Sequence, residues 1–512
     1  MNDEPKLARR GRRPRDAAGG ARVVNYRNLR NPFTPQRVFS DDQIQSIHET
    51  SLRVLEELGL RVLLPEARAR FKQAGALVDE SANMVRIGRE IVERALLTPP
   101  RAFTVRGGAP ERDAFFALGT LAFQPCGGPP HATDIARGRR PATIADFTDA
   151  VKLIQHYDVI HMHAANVEAQ DLPIHLRHYA TMRAQTLWSD KPPFVYARGN
   201  PQTMDGFAML RIARGLTWEQ FKADAWCTTV INTNSPRQID IPMAQGLIDF
   251  ALNGQPCIVT PFCLMGAMAP VTVAGALTLS HAEAMGAITL NQLANPGAPV
   301  FYGAFASNVD MKSGAPAFGT PEEVKCNIAS GQLARLIGLP WRCAAATAAN
   351  VNDAQAAHET EMSCWGAVLA GCSLIMHAAG WLEGGLTLSF EKFITDIDML
   401  NTFAELCHAT PATDADLAFE ALKEVQPGGH FFGAAHTMER YQTAFYEPVV
   451  ADWSNFGTWT ERGSRDATSR AHDIYRRVVD EAKPVPLDPA RVEELEAYVA
   501  KRTEEGGAPP VS

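Results

Sequence analysis

The stretch CSLIMHAAGWLEGGLTLSFEKF, residues 372–393, decides how the rest of the chain is read. An apolar run of strand length at 373–376 meets a polar and aromatic cluster, His377, Trp381 and Glu383. Gly384-Gly385 follow, and an amphipathic helix opens near Ser389. This is a strand that hands side chains to a loop and then gives way to a helix, one βα unit.

Upstream the same unit recurs. Strand-like runs near 121 and at 159–164, 194–197, 227–231, 257–261, 300–304, 342–346 and 374–377 alternate with helical patterns at 144–157, 173–188, 201–214, 241–252, 271–293, 321–337, 354–370 and 390–407. Eight repeats predict an α/β fold, a TIM (β/α)8 barrel over 116–410. A doubly wound open sheet is the rival, but no Gly-x-Gly-x-x-Gly follows any of the runs.

Outside the repeats lie four further segments. Residues 31–115 predict a small N-terminal α/β unit: Ser40 and Gln43 have capping-box spacing, Ile44, Ile47, Leu52, Leu55 and Leu58 follow at helical intervals, and a hairpin is expected at 76–87. Residues 411–503 predict helices at 414–425, 436–445, 465–481 and 489–502, a C-terminal appendage or subunit contact, so a homo-oligomer is expected. The basic, Gly/Pro/Ala-rich start at 1–30, with Lys6, Arg9, Arg10, Arg12, Arg13 and Arg15, lacks the apolar content to order itself, and 504–512 should fray.

Composition excludes several classes. Hydrophobic residues at 46% and charged residues at 21% are those of a globular protein, and a net charge of -8 points to no nucleic-acid partner. The most apolar region, 264–293, is broken by Pro270, His281, Glu283 and Asn291, which makes it a buried helix and not a membrane span. Nine cysteines without a Cys-x-x-Cys pair fit reduced thiols of a cytoplasmic protein and no zinc cluster.

In a barrel of this kind the chemistry sits at the C-terminal ends of the strands. The runs deliver there, in order, Gly127-Gly128; Asn166 and Glu168; Arg198 and Asn200; Asn232 and Asn234; Phe262; Phe305 and Ser307; Asn350, Asn352 and Asp353; and His377, Trp381 and Glu383. His161 and His163 share one face of their run, as a metal-holding pair would. Such a pair needs further ligands from later runs; without a His from runs five and six, histidines in the core or against substrate are favoured over a metal-dependent barrel hydrolase. Phe123, Tyr196, Phe262, Tyr302, Phe305 and Trp381 lie on or near run ends; each alone reads as packing. Together with Glu168, Asp353 and Glu383 they suit a cationic ligand, since a quaternary ammonium is held by ring faces and a nearby carboxylate. No nucleophile elbow, P-loop or His-Glu-x-x-His is present, which favours binding and orientation with a reagent supplied from outside.

The runs DMKSGAPAFGTPE at 310–322, DAQAAHE at 353–359, MHAAGWLEGGLTLSFEKF at 376–393 and PGGHFFGAAHT at 427–437 resemble the trimethylamine:corrinoid methyltransferase family, a likeness extending over about 30–502. The resemblance implies a TIM barrel that moves a methyl group from an amine to the Co(I) of a corrinoid (cobalamin) carried by a separate corrinoid-binding protein. The chain lacks the Asp-x-His-x-x-Gly signature of corrinoid modules, so the cofactor is expected on that partner and no metal on this chain. Family members that act on trimethylamine carry pyrrolysine near the end of strand seven, whereas 341–353 here holds only standard residues. That shifts the expected substrate from trimethylamine, which stays as the alternative, toward a quaternary amine as in the glycine betaine branch. On this reading the aromatic residues and Glu383 or Asp353 would hold the ammonium. Arg198, His377 or the asparagines Asn166, Asn232 and Asn350 would take a carboxylate, and His163 would contact substrate.

Overall fold

The structure is a computed structural model and describes residues 25–511. The basic tail expected at 1–30 lies outside the described residues up to 24. Its last part does not match the expectation: Leu29 is buried and pairs antiparallel with Leu121, an apolar anchor that a tail would not have.

By contacts the chain divides into two units. One holds Tyr26–His408 together with residues 448–511; the other, among the described residues, holds Asn25 and Ala409–Glu447. The helical region expected at 411–503 is therefore split between the two.

In the larger unit the expected helices form nearly where the periodicity placed them: Ile144–His156, Arg177–Trp188, Asn200–Arg214, Ile241–Leu252, Val273–Ala294, Pro321–Ile337, Ala354–Leu369 and Phe390–Leu406. Their starts are chemically marked. Thr143, Asp240, Thr272, Thr320, Asp353 and Ser389 each accept a backbone N–H of the first turn, satisfying donors that have no intrahelical partner. Six of the eight runs become strands: Thr120–Phe123, Thr229–Ile231, Cys257–Val259, Val300–Gly303, Trp341–Ala344 and Leu374–Met376. They pair in parallel from the fourth run to the eighth in sequence order, and the eighth pairs in parallel with the first.

Runs two and three are extended without becoming ladders. His161 N donates to Phe123 O at 2.9 Å, His163 N to Pro192 O at 3.0 Å and Val195 N to Thr228 O at 3.0 Å. Pro192 and Pro193 have no N–H to give, which keeps this side of the sheet to isolated bridges.

Along each strand alternate side chains point to opposite faces. Ala122, Met162, Ile258, Phe301 and Leu374 share one small buried cluster with Phe116, separate from the main core that lies between strands and helices. Phe116 and Phe103 come from the antiparallel pair Ala102–Val105 and Ala114–Ala117, and both meet Phe301 edge-on at 4.8 and 4.9 Å. This hairpin closes one end of the strand layer.

The helix expected from Ser40 through Leu58 forms as Asp41–Arg53 with a complete capping box, Ser40 N donating to Gln43 Oε1 at 2.9 Å, and continues as a π-helical turn over Val54–Leu58. The N-terminal elements share the unit with the strands: Leu60–Val62 pairs in parallel with Gln238–Ile239.

At the other end Pro489–Glu504 is fastened to Asn200–Arg214 through the buried Asp205, which accepts from Tyr179 at 2.6 Å, Tyr498 at 2.7 Å and Arg502 at 2.9 Å. The fraying expected from 504 onward is not found at 508–511. Ala508 is buried and donates to His175 O, and Val511 N donates to Arg198 O at 3.0 Å. Ser512 lies outside the described residues. No helix of the described residues is long and apolar enough to cross a membrane.

Candidate active site

A cavity of about 420 Å³ opens where the runs end in the C-terminal direction, within the size range of small-molecule sites, roughly 300–1,000 Å³. Of the residues expected at the site, Tyr196, Arg198, Asn232, Phe262, Phe305, His377 and Trp381 line it, and so does Glu168.

One wall is aromatic. Phe305 lies at its centre, 4.8 Å from Phe262, 5.6 Å from both Phe318 and His377 and 6.3 Å from Trp381. His377 packs on Trp381 at 4.0 Å. The backbone of His377 is left-handed, with φ of 59°, which turns its side chain out of the strand direction. Burial, with Arg342 adding to it, holds its pKa well below the usual histidine range, so the ring is neutral near pH 7; its Nδ1 has no partner, nor has Nε1 of Trp381.

The opposite wall carries a closed ionic cluster. Both oxygens of Glu168 accept from Arg198, and Arg177 Nη1 reaches Oε2 at 3.2 Å. Arg198 also lies 4.6 Å from the ring centre of Tyr196, whose hydroxyl donates to Ala165 O. Glu168 and Arg198 are thus committed to each other.

Unforeseen from the sequence is Arg342, the one wall charge without a counter-ion among the described residues. Arg342, on the strand Trp341–Ala344, turns inward while Trp341 faces the helices and donates to Gly371 O. Its side chain is fully buried, and among the described residues its Nε and Nη1 have no hydrogen-bond partner and it makes no ion pair. Burial lowers its pKa to about 10, so it stays charged at neutral pH. The guanidinium carbon stands 5.2 Å from the centre of the Phe305 ring. The signal was present in Trp-Arg-Cys-Ala: a lone charge inside an otherwise apolar strand.

The other expected residues lie elsewhere. Phe123 and the His161/His163 pair belong to the outer face of their runs: Phe123 N donates to His161 Nδ1, and the Phe123 ring is 6.2 Å from that imidazole. His163 is fully buried, its ring nitrogens have no hydrogen-bond partner among the described residues, and burial, with Lys191 and Arg214, pushes its pKa to about 3. Among the described residues no group of three His, Cys, Asp or Glu stands close enough to hold a metal. The hydroxyl of Tyr302 is 3.0 Å from His281 Nδ1, on the helix side of its strand.

Asn166 does not reach the wall; its carbonyl accepts from Gly128 N. Asn350 is exposed, and Asp353 is spent on capping Ala354–Leu369. Glu383 sits beside the wall formed by Gly384 and Gly385, but Arg139 Nε holds both its oxygens, at 2.9 and 3.0 Å.

The family model for trimethylamine methyltransferase (MTTB) matches residues 8–507. This chain belongs to the trimethylamine methyltransferase family. Among related family proteins, the glycine betaine methyltransferase of Desulfitobacterium hafniense (strain Y51) is 30% identical over 472 residues, 92% of this chain and 98% of that protein. The trimethylamine methyltransferase MttB1 of Methanosarcina acetivorans is 29% identical over 483 residues, 90% of this chain and 94% of its own. In fold, the chain is similar to the monomethylamine methyltransferase of Methanosarcina barkeri, with a TM-score of 0.50 at 8% identity over 88% of this chain and 89% of that one.

Proposed function

We propose that this trimethylamine methyltransferase family protein transfers a methyl group from a carboxylated quaternary amine, of the glycine betaine kind, to a corrinoid carried by a separate protein. The observation that carries the reading is the unpartnered Arg342 beside an aromatic wall. Leaving a buried guanidinium without a counter-ion is costly, and a ligand carboxylate removes that cost with charge-assisted hydrogen bonds. Trimethylamine offers no such group. The alternative substrate is therefore disfavoured by this chain's own cavity, and the hydrolase alternative by the outward turn of His161 and His163.

The division of labour follows. Arg342, with the neutral His377 beside it, takes the carboxylate. The faces of Phe305, Phe262, Trp381 and Tyr196 take the ammonium, at about 0.5–2 kcal/mol per ring. Glu383 and Asp353 drop out as cation holders because Arg139 and a helix N-terminus already occupy them. A quaternary nitrogen needs neither general acid nor covalent activation: when the N–CH3 bond breaks, its electron pair stays on nitrogen and a neutral tertiary amine leaves. What the chain supplies is position, one methyl group aimed out of the cavity toward its acceptor.

The corrinoid would supply the reduced cobalt that accepts the methyl group. The site leaves room for its approach: Gly128 and Gly384 line the cavity, and a Cβ at Gly128 would meet no atom within 4 Å. We read the runs as a closed (β/α)8 barrel floored by the hairpin under Phe301. The parallel pairing of the eighth strand with the first and the single backbone bonds through runs two and three support this. A cytoplasmic setting fits nine unpaired cysteines.

The test is an anaerobic assay of methyl transfer to free cob(I)alamin. Glycine betaine should yield methylcobalamin and dimethylglycine; formation from trimethylamine with none from any betaine would refute the reading.

A further inference from the structure

His377 and Trp381 reach the cavity from the two ends of one buried turn. The chain leaves its strand at His377 and enters the short strand Trp381–Leu382 through Gly380, whose φ of 86° is left-handed. A Cβ at Gly380 would stand 2.9 Å from Leu388 and 3.3 Å from Phe393, so the turn has no slack on that side. Its backbone is tied to backbone at three points: Ala378 N donates to Gln124 O, Cys126 N to Ala379 O and Ser389 N to Gly380 O, at 3.0, 2.9 and 2.9 Å. A further tie comes from a side chain. Gly380 N donates to Asp396 Oδ2 at 2.9 Å.

That carboxylate is itself fixed. Asp396 lies on the helix Phe390–Leu406, and its Oδ1 accepts from Lys392 one turn earlier; both side chains are buried. Lys392 Nζ also donates to Thr360 Oγ1 at 3.0 Å, on the helix Ala354–Leu369. A buried ion pair contributes little net stability compared with apolar side chains of the same volume, so packing gives no reason for this one. What the pair does is hold one acceptor oxygen against the N–H of the residue before Trp381.

We propose that Asp396 is a positioning residue: through Gly380 it sets the Trp381 ring, and His377 packed on that ring, in the cavity wall. Lys392 holds Asp396 in the orientation this needs. Neither side chain lines the cavity, so both act only through the turn. The consequence for turnover rests on the proposed methyl transfer; the placement of the ring does not.

Two double variants of the full chain separate the hydrogen bond from the ion pair. Lys392→Met/Asp396→Asn removes both charges and keeps an acceptor for Gly380 N–H. Lys392→Met/Asp396→Leu removes the charges and the acceptor together. Thermal melts establish that each is folded. With the eight tryptophans replaced by 5-fluorotryptophan, fluorine NMR reports on the Trp381 ring, its signal assigned through Trp381→Phe. That signal should keep its wild-type position in the asparagine variant and move by more than its linewidth in the leucine variant, with the other tryptophan signals in place. For transfer from glycine betaine to cob(I)alamin, kcat/KM should stay within about threefold of wild type in the first and fall by about 10- to 100-fold in the second. A Trp381 signal that moves in the asparagine variant, or stays in place in the leucine variant, overturns the proposal. A wild type that transfers nothing from glycine betaine would count against the substrate reading instead, and the fluorine signal would still decide the placement.

Discussion

The guanidinium of Arg342 stands 5.2 Å from the ring centre of Phe305. A cationic side chain and the ring proposed to hold the substrate's cation thus share one wall. On the proposed reading, a carboxylate drawn to Arg342 would fix which end of a zwitterion enters first. The ammonium would then be left to the remaining ring faces. On that reading the pairing would make orientation a property of the cavity itself.

A buried charge without a counter-ion is a stability cost. Arg342→Met keeps the length of the side chain and removes the charge, so it should raise thermal stability, by about 1–4 kcal/mol by analogy with buried ionic groups replaced by apolar ones. Differential scanning calorimetry without ligand checks this. A variant less stable than wild type would mean that Arg342 has a structural partner.

The aromatic wall should act on affinity. Phe305→Leu preserves volume but removes a ring face worth about 0.5–2 kcal/mol, so Kd for glycine betaine should rise about 2- to 30-fold. Leu at this position should leave inhibition by a simple carboxylate such as acetate nearly unchanged, since Arg342 is intact. Calorimetric titration of both ligands separates the two effects.

Glu383 and Glu168 should part company. Glu383→Gln breaks a half-exposed pairing with Arg139 outside the cavity wall, and methyl transfer should change by less than about threefold. Glu168→Gln strips the counter-ion from Arg198 and Arg177 at the wall, and should lower both stability and turnover, by about tenfold or more in kcat/KM. Steady-state kinetics of the pair decides; a larger loss at Glu383 would restore it as a cation holder.

Much of the fold was legible because helix starts and apolar periodicity are local. Thr143, Thr320 and Asp353 mark caps in the sequence, and the helices begin beside them. Facing direction was less legible. Phe123 and Tyr302 are aromatic residues at strand ends, but alternation turns both toward the helices, and Asp353 reads as a loop carboxylate until its capping bond is seen. Arg342 escaped because residues were sought beyond the strand ends, while its side chain points inward from mid-strand. Pairing of Glu383 with Arg139 spans 244 positions, which no local pattern encodes.

Glu323 gives the protein a pH signature unrelated to substrate. Burial pushes its carboxyl to about 8, against an ordinary 4.5, although Ser363 and the Gly319 N–H bond to it. Its folded pKa is raised, so the folded state holds the proton more tightly than the unfolded chain. That contribution is full below pH 4.5 and is lost as pH rises toward and through 8. Glu323→Gln should flatten the fall in Tm between pH 6 and 9, read by thermal melts across that range; a slope equal to that of the wild type contradicts it.

The central claim is that Arg342 selects a carboxylate. The most direct measurement is kcat/KM for methyl transfer to cob(I)alamin from glycine betaine and from tetramethylammonium, which lacks the carboxylate, with wild type and Arg342→Met. The wild type should prefer glycine betaine, and the substitution should cut its kcat/KM by about 30- to 1,000-fold, the worth of a buried charged pair at about 2–4 kcal/mol, with tetramethylammonium changed less than about threefold. Equal losses on the two substrates, or glycine betaine transfer that survives the substitution, would contradict the account.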